Sequence, residues 1–295
     1  MLRTRRFAIA VVTGTMVCGG CVTSGAKAAA PGSTRSTAAA ALSGAPPGSA
    51  SASPPGTSTR SASEVPAAAR LPLAGKTVGI DPGHDGGNFG NPGYINAMIW
   101  NGRAEETCDT TGTATASGYT EAQFNFSVAT DLRADLIADG ARVVMTRDSN
   151  NGVGPCVTTR AQIINRAHAN VAIDIHADGG PADGRGFTVL EPIADGPNNK
   201  VIGASIAFGT DVRAAMLAYT TMPESTYYGN YGIITRDDLA GLNLTTVPKI
   251  LIECGNMPNP EDARMLTSPA FQHLLATAFT AAIVAFLTDR PVQKG

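Results

Sequence analysis

The segment KTVGIDPGH at residues 76–84 decides the fold class of this chain. Lys76 to Asp81 is a short run rich in strand-forming residues, and Pro82-Gly83 ends it at a turn. His84 then lies directly beyond the end of the strand. The segment therefore predicts a strand that stops abruptly and presents an imidazole at its carboxyl end.

Helices and further strands alternate along the chain after this segment. From Thr120 the sequence EAQFNFSVATDLRADLIADG carries apolar residues at helical spacing, and Gly140 supplies the stop. The other predicted strands are 142–146, 171–176, 186–190 and 249–253, and the other predicted helices are 158–169, 201–217 and 268–287. Strands separated by helices imply right-handed crossovers. We predict a single α/β domain with a largely parallel central sheet and helices on both faces.

Two segments follow neither period. Asp85 to Gly118 is rich in Gly, Asn and Thr and is predicted to be a long surface loop, and Tyr219 to Tyr231 is a connection rich in tyrosine. Loops of such length in compact domains are commonly functional. Both segments are therefore candidates to line a binding groove.

The first residues have the pattern of a secretory signal. A charged start, an apolar run from Phe7 to Val17 and small residues follow one another, and we place the signal at 1–30. The apolar run is shorter than the roughly 20 residues of a spanning helix, and no later segment is expected to span a membrane. We predict secretion to the periplasm or cell wall, with a lipoprotein anchored at Cys21 as the alternative.

Residues 31–70 consist almost entirely of Ala, Ser, Gly, Pro and Thr. Such a segment buries too little apolar surface to offset its ordering entropy, so it is predicted to be a disordered linker. The folded domain is then 71–290, a length that suits one α/β domain. A formal net charge of −2 argues against a nucleic-acid partner, and we expect a monomer.

Three cysteines remain once the signal is removed. Cys108 and Cys156 both lie in connecting segments rich in small polar residues, whereas Cys254 follows an apolar strand. In an oxidising compartment we predict a Cys108–Cys156 disulfide and a reduced Cys254. Two unpaired loop thiols are the alternative, and they would be a liability outside the cell.

Titratable side chains recur at the ends of the predicted strands. His84 follows the first strand, His176 ends the third and Glu253 ends the last. Ligands collect at the carboxyl ends of parallel strands, so these side chains are expected to share one crevice. Glu121 lies in the first turn of a predicted helix, where the alternative role is simple favourable electrostatics with the helix dipole. Two histidines and a carboxylate would satisfy a zinc ion.

Four motifs resemble those of a known family. They are DPGH at 81–84, Glu121 with Asn125, IHAD at 175–178 and IECGN at 252–256. In identity and order they resemble the motifs of the zinc-dependent N-acetylmuramoyl-L-alanine amidases of bacterial cell walls, of the amidase_3 type. A short chain without a wall-binding module is similar to mycobacterial examples.

The resemblance implies a function for each matched residue. His84, Glu121 and His176 are expected to hold Zn²⁺, and Glu253 is expected to act as the general base. The implied substrate is peptidoglycan or its muropeptide fragments, cut at the amide between the lactyl group of N-acetylmuramic acid and L-alanine. The chain departs from the family at Asp174, where a Ser is usual, and at Asp178, where an Asn is usual.

Strand alternation distinguishes these two acidic residues. Asp174 and His176 are two residues apart in a strand and share one face. An acidic group beside a ligating histidine can orient its ring, so Asp174 is predicted to hold His176 in place. Asp178 is the weaker alternative for this role.

Two other functions are alternatives to the amidase. A catalytically silent peptidoglycan-binding regulator would keep the fold and lose a ligand or Glu253, and all four residues are present. A zinc peptidase would cut within the stem peptide instead. A glycan-cleaving enzyme is disfavoured because no pair of catalytic carboxylates is evident.

Overall fold

The computed structural model describes residues 71–293. Outside this part lie the predicted signal at 1–30, the predicted linker at 31–70 and the alternative lipid site at Cys21. The strands are β1 (Thr77–Pro82), β2 (Met98–Trp100), β3 (Glu105–Thr107), β4 (Arg142–Met145), β5 (Val171–Asp178), β6 (Thr188–Pro192), β7 (Ile233–Arg236) and β8 (Lys249–Asn256). The helices are α1 (Pro92–Ile95), α2 (Glu121–Ala138), α3 (Val157–Arg166), α4 (Ile202–Tyr219), α5 (Ala240–Asn243), α6 (Pro260–Leu266) and α7 (Pro269–Thr288).

Six strands form the central sheet in the order β4-β1-β5-β8-β6-β7. β4, β1, β5 and β8 run parallel, whereas β6 is antiparallel to β8 and parallel to β7. The segment 179–187 between β5 and β6 is shorter than the dozen or more residues that a parallel crossover needs, so β6 has to reverse direction. The predicted α/β fold with a largely parallel sheet is confirmed.

One face of the sheet carries the main apolar core beneath α2, α4 and α7. Alternate residues of the central strands point into it and are fully buried: Val78, Ile80, Ile173, Ile175, Ile250 and Ile252. Aliphatic side chains at every second position are what a half-buried strand requires. Burial of this face supplies most of the hydrophobic stabilisation of the domain.

The opposite face is covered by α3 and α5 and is more polar. Ile164 of α3 packs on Ala172, and Leu242 of α5 packs with Leu190 and Leu251. Between these two small apolar clusters lie buried charged side chains from three strands: Asp81, Asp174 and Lys249. The sheet therefore separates an apolar face from a charged one.

By length and composition, the helix α7 could cross a membrane. This finding corrects the expectation that no segment after the signal is long and apolar enough to do so. The helix packs against both α2 and α4, and Leu275, Phe279 and Ile283 are fully buried there. Helices that are apolar on most sides are also found in the core of globular domains. The packing of α7 accounts for its composition.

Several short helices and strands were not predicted from the sequence. The predicted long loop contains α1 and the antiparallel pair of β2 and β3, and the end of the tyrosine-rich region leads into β7. Strands of three or four residues contain too few positions to show a period. The hairpin turn uses Gly102 at a φ of 104°, which is the kind of position that favours glycine.

We expect Ile173→Ala to lower the free energy of unfolding by about 2–5 kcal/mol, because it opens a cavity in the central strand of the core. Ile173 is fully buried, whereas Ile137 on α2 is 51% exposed. Ile137→Ala is therefore the matched control and should change stability by about 0.5 kcal/mol or less. Urea unfolding followed by circular dichroism measures both, and equal losses would contradict the position assigned to the core.

Candidate metal centre

His84 reaches the site through an unusual backbone conformation. Its φ of 57° lies in the left-handed region, which residues other than glycine seldom adopt. The Gly83 amide donates to the carbonyl of Ile175 at 3.0 Å, and Arg160 Nη2 donates to the His84 carbonyl at 2.8 Å. These bonds hold the turn after β1, and the His84 and His176 rings lie edge to face with centroids 4.8 Å apart.

His176 and Glu253 are brought together by strand pairing. β5 and β8 are parallel neighbours, and His176 is in register with Glu253. Registered partners point to the same face of a sheet. The expectation that these two strand ends share one crevice is therefore met by direct pairing of their strands.

Glu121 is the first residue of α2, and Thr120 caps the helix by accepting from the Gln123 amide. Glu121 Oε2 accepts from the Thr113 amide at 2.9 Å, and Glu121 Oε1 accepts from the Ala177 amide at 3.3 Å. These contacts turn the carboxylate towards the end of β5. Interaction with the helix dipole alone does not explain this orientation.

The three side chains converge on a common point. His84 Nε2 lies 3.1 Å from Glu121 Oε1, and His176 Nδ1 lies 2.8 Å from the same oxygen. One potential ligand atom from each residue falls within 4.8 Å of the other two. Two imidazole nitrogens and a carboxylate form a donor set that suits zinc, with room left in a tetrahedral arrangement for a further group.

The outward nitrogen of each ring faces a second carboxylate. His84 Nδ1 lies 3.2 Å from Asp109 Oδ1, and His176 Nε2 lies 3.3 Å from Asp174 Oδ1. A carboxylate beside the outer nitrogen favours the tautomer whose inner nitrogen keeps its lone pair for a metal. Asp109 is within hydrogen-bond contact of His84, whereas Asp174 Oδ1 is in ion-pair contact with His176 without a hydrogen bond. Asp174 therefore lies beside His176 on the same face of β5, whereas Asp178 accepts from the Tyr227 hydroxyl at 2.7 Å.

Asp109 was not anticipated from the sequence. It follows Cys108, which forms the predicted disulfide with Cys156 at the start of α3. The Val157 amide also donates to the Cys108 carbonyl at 2.8 Å. The disulfide therefore fastens the segment that carries Asp109 to α3, and the only available signal was the neighbouring cysteine. Cys254 is buried and unpaired, as predicted.

Two glycines leave room for the ring and carboxylate. A Cβ atom on Gly83 would come within 2.2 Å of the His176 ring. Gly112 has a φ of 69°, and a Cβ atom there would lie 2.7 Å from both Glu121 Oε2 and the His84 ring. The ligand side chains pack directly on these backbones, so any larger residue would displace them.

Electrostatics in the site favour a cation. Burial lowers the pKa of His84, but Glu121 and Asp109 outweigh that effect and raise it to about 9. For Glu121, burial raises the pKa, but His84 and His176 bring it well below its usual value. The site thus stabilises a carboxylate and attracts positive charge between the two rings.

Glu253 has a different environment. Burial raises its pKa to about 8. Its Oε2 has no hydrogen-bond partner among the described residues. Because Glu253 also lines the cavity beside both histidines, this unpartnered oxygen is available to a bound ligand.

A cavity of about 300 Å³ joins these groups. His84, Glu121, His176 and Glu253 all line it, and its outer wall includes Asp178, Leu190, Arg236 and Leu239. Arg236 comes from β7, which the sequence analysis did not predict. The cavity combines a candidate metal site with a nearby proton acceptor, an arrangement suited to hydrolysis.

Comparisons with known proteins agree with this arrangement. The profile of the family described as N-acetylmuramoyl-L-alanine amidase matches residues 78–285. An N-acetylmuramoyl-L-alanine amidase of Mycobacterium tuberculosis is 39% identical over 232 residues, which are 78% of this chain and 92% of the relative.

Solved structures show the same similarity. The amidase Ami1 of Mycobacterium abscessus, in its apo form, is 40% identical with a TM-score of 0.69, covering 73% of this chain and 100% of that chain. Ami1 of Mycobacterium smegmatis is 39% identical with a TM-score of 0.70, covering 74% of this chain and 99% of that chain. Fold, sequence and site agree, and the chain belongs to the N-acetylmuramoyl-L-alanine amidase family.

Proposed function

We propose that this protein is a zinc-dependent N-acetylmuramoyl-L-alanine amidase. It hydrolyses the amide between the lactyl group of N-acetylmuramic acid and the L-alanine of the stem peptide, in peptidoglycan or its muropeptide fragments. The observation that carries the proposal is the convergence of His84, Glu121 and His176 beside Glu253 in one cavity of an amidase-family domain.

His84, Glu121 and His176 would hold the zinc ion, through the nitrogens and the oxygen that already lie within 4.8 Å of one another. Bound zinc would supply Lewis acidity, which makes a water molecule more acidic and polarises the scissile carbonyl. The outer carboxylates Asp109 and Asp174 would keep both rings oriented during this chemistry.

Glu253 is proposed as the proton carrier. An amide nitrogen is a poor leaving group unless it is protonated, and water is a poor nucleophile unless it loses a proton. Glu253 would take the proton of the attacking water on its carboxylate and pass it to the departing L-alanine nitrogen. A pKa raised to about 8 by burial suits both steps, because the group can gain and lose a proton near neutral pH.

We further propose that the protein works outside the cytoplasm, secreted to the periplasm or cell wall, as a monomer. The Cys108–Cys156 disulfide supports this location, because such bonds persist in oxidising compartments. A silent wall-binding regulator is not favoured, because the chain retains the full set of ligand atoms and the carboxyl group of Glu253.

We expect Glu253→Gln to lower the hydrolysis of a muramyl peptide by about two to four orders of magnitude, because the amide cannot accept the proton. Zinc content should stay at the wild-type level. Glu105→Gln on the exposed face of β3 is the matched control and should keep full activity. Mass spectrometry of the products measures the rate and identifies the bond.

Release of the intact stem peptide with a free N-terminal L-alanine supports the amidase. Cleavage within the stem peptide would instead identify a zinc peptidase. Wild-type activity of Glu253→Gln would contradict the role given to this residue.

His176→Ala should remove most of the zinc bound by the purified full chain, because it takes away one ligand atom of three. The matched control is His273→Ala on α7, whose side chain is 65% exposed and lies away from the site. Metal analysis after dialysis compares both variants with the wild type. Equal zinc content in all three proteins would show that the metal binds elsewhere.

Zinc affinity should rise with pH from about 6 to about 9, by about tenfold per pH unit for each proton displaced. The reason is that the pKa of His84 in the metal-free site is raised to about 9, so zinc competes with a proton for that ring. At lower pH the proton is held and affinity falls. Competition with a chromophoric chelator across this range measures the effect, and a flat profile would contradict it.

A further inference from the structure

Lys249 is the first residue of β8 and is 1% exposed. Long lysine side chains normally bring their ammonium group to water, whereas this one ends inside the protein. Its Nζ lies 2.6 Å from Asp81 Oδ2 and 3.1 Å from Asp174 Oδ2. Strand alternation places Lys249 on the same face of β8 as Glu253, beneath the candidate metal centre.

Asp81 connects this lysine to a second cation. Arg160 Nη1 lies 3.2 Å from Asp81 Oδ1, and its Nη2 lies 3.3 Å from Asp109 Oδ2. These side chains form what we call the buried charge cluster: Asp81, Asp109, Asp174, Arg160 and Lys249. It joins the two carboxylates that face the outer nitrogens of the ligand histidines.

The buried charge cluster and Glu121 together carry an excess of negative charge. Its three carboxylates and two cations leave one net negative charge, and the carboxylate of Glu121 adds a second. Buried charge is costly unless it is compensated nearby. With both rings neutral, this excess of negative charge favours a cation at the candidate centre.

Asp174 is the member that Lys249 can orient. Its Oδ2 is engaged by Lys249 Nζ, and its Oδ1 faces His176 Nε2 at 3.3 Å. A carboxylate has two oxygens in one plane, so fixing one of them fixes where the other points. The His176 ring in turn places its Nδ1 beside Glu121.

We propose that Lys249 is a positioning residue of the metal centre: it holds Asp174 so that Asp174 orients His176 towards the metal. This inference rests on the proposed zinc-dependent function. It assigns Lys249 a role through Asp174 and His176, without contact to the substrate. A lysine that only stabilised the sheet would leave metal affinity unchanged.

The first test is Lys249→Met in the full chain, which removes the ammonium group and keeps an unbranched side chain. Zinc affinity, measured by chelator competition, should fall about ten- to a hundredfold, the usual effect of losing an outer partner of a ligand. The visible absorption spectrum of the cobalt-loaded protein should also change, because it reports ligand geometry. Lys249→Gln, whose amide stops one bond short of Nζ, is the second variant and should behave alike.

A double-mutant cycle tests whether Lys249 acts through Asp174. Asp174→Asn should weaken zinc binding by itself, and the double variant Lys249→Met/Asp174→Asn should be no weaker than Asp174→Asn alone. The matched control is Asp262→Asn, a fully buried carboxylate that accepts from the Gly186 and Asn256 amides. It should lower the melting temperature without changing zinc affinity.

Two results would overturn the proposal: folded Lys249→Met or Lys249→Gln with wild-type zinc affinity, or a double variant whose loss equals the product of the two single losses. If the wild-type protein cleaves muramyl peptide with zinc and both Lys249 variants bind zinc normally, only the positioning role is rejected. Wild-type protein that binds no zinc rejects the proposed function itself.

Discussion

The pairing of β5 with β1 on one side and β8 on the other determines where the chemistry lies. These three parallel strands end at one edge of the sheet, and each contributes to the site there. His84 follows β1, His176 lies in β5 and Glu253 lies in β8. A shift of one residue in the register of β8 would send Glu253 to the apolar face, because side chains alternate along a strand.

The two faces of this sheet require different kinds of side chain. Under α2, α4 and α7 the strands need only aliphatic side chains of suitable volume. Beneath the site the strands need charges that compensate one another, since removing one partner leaves the other as an uncompensated buried charge. The first face tolerates exchange between similar side chains, whereas the second depends on the identity of each residue.

The sequence was informative where chemistry coincided with a strong pattern. β1, β5 and β8 are apolar runs, so these strands could be located, although β5 extends to Asp178 and β8 to Asn256, two and three residues beyond the predicted ends. The four motifs supplied the likeness to the amidases. Asp174 could be placed because it is two residues from His176 on the same strand.

Long-range contacts could not be read in the same way. Asp109 and Arg160 meet across 51 residues of sequence, in segments whose conformation depends on a disulfide and a turn. The partners of Lys249 are equally remote, and a lysine at the start of a strand normally indicates a solvated end. The reversal of β6 could have been predicted, because the nine residues 177–185 between the two predicted strands are too few for a parallel crossover.

The helix α7 has a consequence for the order in which the domain is assembled. It lies against α2 and α4, which both come earlier in the chain, and it covers apolar residues of each. During synthesis these two helices leave the ribosome before the element that covers them exists. The apolar core closes only after α7 has emerged, so apolar residues of α2 and α4 stay accessible to chaperones until then.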